Sequence, residues 1–284
     1  VNVARALRDA AARLEATSDT ARLDAELLMA HALNCDRSWM LLNWTGAVTP
    51  ATFADLIERR ARHEPVAYIT GKQAFYGREF AVTPAVLIPR PDSETVVAVA
   101  IEAMPEPQRI LDLGTGSGAL LLTLLEEAPW SEEGVGIDAS KGALDVAQSN
   151  GKAPHLARRA RFLLRDWHQP GWADDLGRFD LIVANPPYVE EAADLAPSVR
   201  DYEPAEALFA GPEGLDDYRA LFPQLPALLT PEGVAVIEIG AGQAESVAQL
   251  AAAAGFSSEL RRDLANRPRA LILRIRLGNG PASG

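Results

Sequence analysis

The sequence predicts an α/β protein, a doubly wound and mostly parallel sheet preceded by a small helical bundle and a linking β-hairpin. Three observations carry that prediction. From Asp92 onward, short apolar runs alternate with helical patterns, the order that builds a parallel sheet with crossover helices. Arg109-Ile110-Leu111-Asp112-Leu113 leads into Gly114-Thr115-Gly116-Ser117-Gly118 and then a leucine-rich helix, the strand–loop–helix opening of a ligand-binding sheet. Residues 1 to about 70 carry helical periodicity and no strand pattern.

Each element follows in order. Val3, Leu7, Ala11 and Leu14 recur at helical spacing, as do Leu23, Leu27, Ala30 and His31. Phe53, Leu56, Ile57 and Arg60 mark a further helix; His31 is expected at the core edge and Arg59 to Arg62 toward solvent. Helices this short bury little area singly, so residues 1–73 read as one bundle. Phe75-Tyr76, Gly77 and Phe80-Ala81-Val82 read as a hairpin with a glycine turn, inside a linker spanning 74–90. The sheet domain spans 91–277. Its strands are read at 109–113, 135–138, 161–164, 179–184, 233–239 and 270–275, and 278–284 as a disordered tail. The basic cluster of Arg158, Arg159, Arg161 and Arg165 reads as a solvated face.

Composition excludes several classes. Lys and Arg number 27 against 39 Asp and Glu, a net charge of −12, which argues against nucleic acid as the main partner. A single cysteine leaves no disulfide framework, and the four histidines lack metal-ligand spacing, so no metal is expected. No membrane-length apolar run and no signal-peptide pattern occurs; a cytoplasmic monomer with no membrane partner is expected.

The chemistry concentrates at strand ends. Asn185-Pro186-Pro187-Tyr188 follows the apolar run 179–184, and two prolines cannot continue a strand. Asn185 brings a carboxamide oxygen, Pro186 a carbonyl without a competing N–H, and Tyr188 a flat face. Two acceptors and a stacking ring suit a planar NH2 group, whose delocalised lone pair makes it a poor nucleophile. Fixing both hydrogens directs the nitrogen and stabilises the positive charge it gains on attack. The bland reading is a proline-rich turn. Gly114 to Gly118 let backbone approach a ligand closely. Asp138, about 20 residues past the loop, suits ribose hydroxyls. Asp166 beside Trp167 suits an adenine amino group and ring face, and Asp112 an ammonium group. The loop also fits G-x-G-x-x-A with Ala119 last, so NAD competes. A ligand with adenine, ribose and a charged methionine tail accounts for all four strand ends; NAD leaves the last unexplained.

The order Asp-x-Gly-x-Gly-x-Gly, Asp138, Asp166 and Asn-Pro-Pro-Tyr resembles the class I S-adenosylmethionine-dependent methyltransferases. Phe80-x-Val82, the segment Val86 to Glu94 with its Ile88-Pro89-Arg90-Pro91, Glu203-Pro204-x-x-Ala207-Leu208 and Gly211-x-x-Gly214-Leu215 extend the resemblance to the HemK-type family, the peptide chain release factor glutamine methyltransferases. Arg22 to Leu28 is similar to that family's helical N-terminal domain. Arg165 and Asn266 depart from the pattern where glycine is common.

The resemblance implies a seven-stranded sheet and methylation of the side-chain amide nitrogen of the glutamine in the Gly-Gly-Gln motif of class I release factors. Residues 1–73 would then bind the release factor. Gly114, Thr115, Gly116, Ser117, Gly118, Asp138, Asp166, Trp167 and Asn185 would hold S-adenosyl-L-methionine. Asn185, Pro186, Pro187, Tyr188 and Arg90 would hold substrate, with Asn185, Pro186 and Tyr188 acting in catalysis. The rival readings are a nucleic-acid adenine amino methyltransferase, an NAD-linked oxidoreductase, and a binding module that kept the fold without turnover.

Overall fold

A computed structural model describes residues 2–43 and 47–276, so the tail expected at 278–284 lies outside the described residues. The chain forms two compact units. One holds Val1–Lys72 with Val82–Pro84 and Leu195–Glu203; the other holds Gln73–Ala81, Ala85–Asp194 and the chain from Pro204 onward.

The first unit is helical: α1 Val3–Leu14, α2 Ala21–Ala32, α3 Arg37–Asn43, α4 Phe53–Ala61 and α5 Val66–Thr70. Asn2 caps α1, its Oδ1 accepting from Arg5 N at 2.9 Å. Val3, Leu7, Ala10 and Leu14 of α1 pack with Ala25, Leu28 and Met29 of α2 and Phe53 and Ile57 of α4. The buried face of α2 differs from the one the sequence pattern picks. Leu23 and His31 are exposed, while Asp24 and Glu26 are buried. Both acids are neutralised in place. Arg60 Nε reaches Asp24 Oδ2 at 2.7 Å, and Arg22 and Arg37 clasp Glu26. Arg60 therefore points into the unit, against the solvent-facing expectation, because a buried carboxylate needs a cation. Within this unit Tyr202 Oη also donates to the Arg62 carbonyl at 2.7 Å.

The second unit begins at Gln73, one residue into the hairpin β1 Lys72–Phe75 and β2 Arg78–Ala81. Its two-residue turn has φ of 50° at Tyr76 and 72° at Gly77, the double positive φ that matches strand twist. Then come α6 Glu94–Ala103, β3 Arg109–Leu113, α7 Ala119–Glu127, β4 Glu133–Asp138, α8 Lys141–Asn150, β5 Ala160–Leu164 and β6 Phe179–Ala184. The remaining strands are β7 Leu229–Glu238, β8 Phe256–Arg262 and β9 Pro268–Ile275.

The seven strands lie in the order β5-β4-β3-β6-β7-β9-β8. The first five run parallel, and β9 pairs antiparallel with both β7 and β8. Alternate residues feed two cores. Leu111, Leu113, Ile182, Ala184, Ala235 and Ile237 enter one; Ile110, Leu181, Val183, Val234 and Val236 enter the other. Edge strand β8, Phe-Ser-Ser-Glu-Leu-Arg-Arg, is polar along most of its length and buries little beyond Phe256, so the hydrophobic pattern passes over it. Arg158 and Arg161 of the arginine cluster are exposed, as a solvated face requires, while Arg159, Arg161 and Arg165 also carry bonds. Arg159 donates to the carbonyls of Leu125, Ala128 and Ser131, Arg161 to Glu133, and Arg165 to Asp175. Among the described residues no helix is long and apolar enough to cross a membrane.

Candidate active site

Strand order reverses between β3 and β6, the place where an open α/β sheet leaves a crevice at its carboxyl edge. Leu113 pairs with Ile137 on one side and with Ala184 on the other, so Gly114, Asp138 and Asn185 follow at one level. A cavity of about 560 Å³ opens there, walled on its apolar side by Phe75, Val86, Leu87 and Pro89.

The glycine loop forms one wall. Gly114, Gly116 and Gly118 all have positive φ, at 73°, 53° and 81°, which explains why glycine stands at all three. Gly114 N and Thr115 N donate to the Ile137 carbonyl at 3.0 and 2.8 Å, pinning the loop to β4. Gly116 N donates to Asp138 Oδ2 at 2.9 Å, and Ser140 N to Asp138 Oδ1 at 2.8 Å. Burial pushes the Asp138 carboxyl above its ordinary pKa, and those two N–H groups pull it back. Glu206, which lines the same cavity, adds an upward push.

Asp112 does not line the cavity. It is fully buried beneath the loop, where Thr115 Oγ1 donates to its Oδ2 at 2.7 Å, and burial lifts its pKa to about 7. From there it braces the turn from below.

Asp166 and Trp167 do line the cavity. Asp166 accepts from His168 N at 2.9 Å and Gln169 Nε2 at 3.1 Å, and the His168 amide holds it below the usual carboxylate range. The Trp167 ring lies over the loop, so that a Cβ on Gly114 would sit 3.2 Å from it. Its Nε1 donates to Asp217 Oδ1 at 2.8 Å.

Asn185 sits on the opposite wall with Pro187, and Arg90 lines the cavity as well. Asn185 Nδ2 donates to Ser93 Oγ at 3.2 Å. Pro186 is buried and Tyr188 half-buried, and neither is among the lining residues. The Tyr188 hydroxyl turns to Glu238 Oε1 at 3.3 Å; burial, and then that neighbouring carboxyl, push its pKa up. Glu238 ends β7 at 1 % exposure, and burial raises it to about 7.

Residues 5–71 match the model described as the PrmC N-terminal domain, and residues 92–200 that of the methyltransferase small domain. A release factor glutamine methyltransferase of Rhodospirillum rubrum is 43 % identical over 262 residues, covering 90 % of this chain and 79 % of that protein. One of Cereibacter sphaeroides is 41 % identical over 97 % of this chain and 99 % of its own length. The chain belongs to the release factor glutamine methyltransferases. The crystal structure of a methyltransferase from Pyrococcus furiosus shares the fold, with a TM-score of 0.51 at 16 % identity over 76 % of this chain and 97 % of that one.

Two features of this release factor glutamine methyltransferase escape the sequence reading. Ser93 sits in segment 86–94 without a role, and Glu238 closes a strand beside the one that ends just before Asn185. An acid at a strand's carboxyl end is the signal already used for Asp138 and Asp166, and it was present at Glu238 too. The departure at Asn266 has a plain reason. Its φ is 61°, and asparagine is among the few residues that tolerate the left-handed region a glycine would otherwise fill.

Proposed function

We propose that this chain methylates the side-chain amide nitrogen of the Gly-Gly-Gln glutamine of class I peptide chain release factors, using S-adenosylmethionine. The reading rests on one observation above the rest: the Asn185 carboxamide and the glycine loop open into the same cavity from adjacent strand ends. The residues suit the cofactor. A glycine turn leaves room for close backbone approach, Asp138 offers a carboxylate for ribose hydroxyls, and Asp166 with Trp167 offers an acceptor and a ring face for adenine. When bound, the cofactor supplies an electrophilic methyl group on a sulfonium.

The chain's own contribution is orientation. Asn185 Oδ1 and the Pro186 carbonyl accept the two hydrogens of the substrate amide and aim its nitrogen. They also stabilise the positive charge that grows there. Tyr188 ends the tetrapeptide and, through its bond to Glu238, holds that backbone in place. Phe75, Val86, Leu87 and Pro89 keep water from the reacting atoms, which strengthens both hydrogen bonds. The helices of residues 1–73 are the proposed seat for the release factor.

Incubation of the enzyme with a class I release factor and labelled cofactor, followed by mass spectrometry of the Gly-Gly-Gln peptide, tests the reading. One added methyl on the glutamine is expected. Label in DNA or RNA, with none in the release factor, would replace this reading with the adenine amino methyltransferase.

A further inference from the structure

Strand β5 stands at the edge of the sheet and pairs on one side only, with β4. None of its residues is fully buried. Trp167 follows its end, so the ring that faces the cavity hangs from an edge strand, whereas Gly114, Asp138 and Asn185 follow interior ones. An indole on a half-buried turn loses torsional freedom when a ligand stacks on it. Support from outside β5 would remove that cost.

The support comes from beyond β6. Trp167 Nε1 donates to Asp217 Oδ1 at 2.8 Å, and Gln224 Nε2 donates to the Trp167 carbonyl at 3.2 Å. Asp217 lies in the short helix Asp216–Leu221, and Gln224 follows it. Asp217 is buried, at 6 % exposure, yet it also borders the cavity. His168 Nε2 reaches the same Oδ1 at 3.1 Å. An indole N–H can only donate, and a carboxylate gives it a charge-assisted bond, roughly twice as strong as a neutral one. At the far edge of the ring, Cη2 lies over Gly114, where a Cβ would come within 3.2 Å. Tied at its N–H and resting on the glycine at its other end, the ring is held in one orientation.

We propose that Asp217 is a positioning residue for the cofactor: its bond to Trp167 Nε1 sets the indole in advance as the face on which the adenine of S-adenosylmethionine lies. The proposal rests on the adenine role given to Trp167 above.

The effect belongs to binding and not to turnover. A ring fixed beforehand gives up no freedom when adenine stacks on it, so the bond strengthens the cofactor complex. Asn185 is held from Ser93 and not from this helix, so the aim of the substrate amide does not run through Asp217.

The test uses the full chain and S-adenosylmethionine, with affinity read by titration calorimetry. Asp217→Ala is expected to weaken cofactor binding about tenfold, the scale of one lost charge-assisted bond. With a class I release factor it should raise the KM for cofactor and move kcat far less. Asp217→Asn, which keeps an oxygen acceptor of the same shape, should recover most of the affinity. Trp167→Phe removes the N–H, and in that background Asp217→Ala should cost no further affinity, because the group it serves is gone. The Trp167 share of the emission, found by subtracting the Trp167→Phe protein in each background, should become more open to acrylamide quenching in cofactor-free Asp217→Ala.

Asp217→Ala at the parent affinity overturns the proposal, as does unchanged quenching of Trp167. So does an equal loss in the Trp167→Phe background, which would make Asp217 a support of the helix alone, and so does Asp217→Asn binding as weakly as Asp217→Ala. Should Asp217→Ala fail to fold, as thermal melting would reveal, Asp217→Leu fills the space without an acceptor and takes its place. If Trp167→Phe binds cofactor like the parent, the adenine role of the ring falls and the proposal with it. If the parent chain binds no S-adenosylmethionine, the cofactor reading itself is wrong.

Discussion

Around β3 and β4 the cavity wall is held in shape by main chain. Three glycines with positive φ turn the loop, and amides of Gly114, Thr115 and Gly116 fasten it to the Ile137 carbonyl and Asp138. Around β6 and β7 the wall is held by side chains, Asn185 bonding Ser93 and Tyr188 bonding Glu238. A wall built from backbone tolerates few residues at each position but needs no distant partner. A wall built from side chains places one functional group finely and depends on residues far apart in the sequence.

Substitutions on each wall should therefore fail differently. The largest effect is expected for Asn185→Ala. It should remove about 2–4 kcal/mol of transition-state stabilisation, read as kcat/KM, with cofactor affinity much less changed. Equal losses in turnover and cofactor binding would erase the distinction between the walls.

Gly118→Ala should do the reverse. Its φ is +81°, and an added Cβ would lie 3.0 Å from Leu122 Cδ1 and 3.4 Å from the Ala147 Cβ. Strain of about 1–2 kcal/mol is expected in the loop, seen as weaker cofactor binding with kcat preserved at saturating cofactor. Intact affinity with a lowered kcat would contradict the backbone reading.

Asp112→Asn probes the brace beneath the loop, with a smaller effect on turnover and a readable one on stability. The carboxyl is raised from 3.8 to about 7 by burial in the folded chain. Folding then favours the protonated form. The contribution is fully present below the unfolded value, declines as pH rises from 3.8 to about 7, and is flat above. Glu238, raised from 4.5 to about 7, acts in the same sense. Thermal melts across that window should show a shallower decline in Asp112→Asn than in the parent. An unchanged slope would mean that Asp112 does not titrate there.

Arg161→Ala marks the lower end. Its bond to Glu133 is exposed, so stability should move by no more than about 0.5 kcal/mol, with activity unchanged.

The two walls also differ in how much of them the sequence discloses. The glycine loop, Asp138, Asp166 and Trp167 are legible because each lies at a strand's end within a contiguous pattern, and positive φ leaves its mark as glycine. Asn185 is legible because two prolines force the chain out of the sheet after it. Ser93 is not, since its partner lies 92 residues away and only sheet order brings them together. The same physics hides the buried face of α2. Asp24 and Glu26 read as surface residues until Arg60, Arg22 and Arg37 are placed against them.

One further consequence concerns the order of synthesis. Leu195–Glu203 belongs to the helical unit, and Tyr202 bonds to the Arg62 carbonyl across 140 residues. At ribosomal speeds that stretch takes on the order of ten seconds to make. The five N-terminal helices thus leave the exit tunnel as an open nest, and their last piece arrives only after the strand bearing Asn185 has been translated.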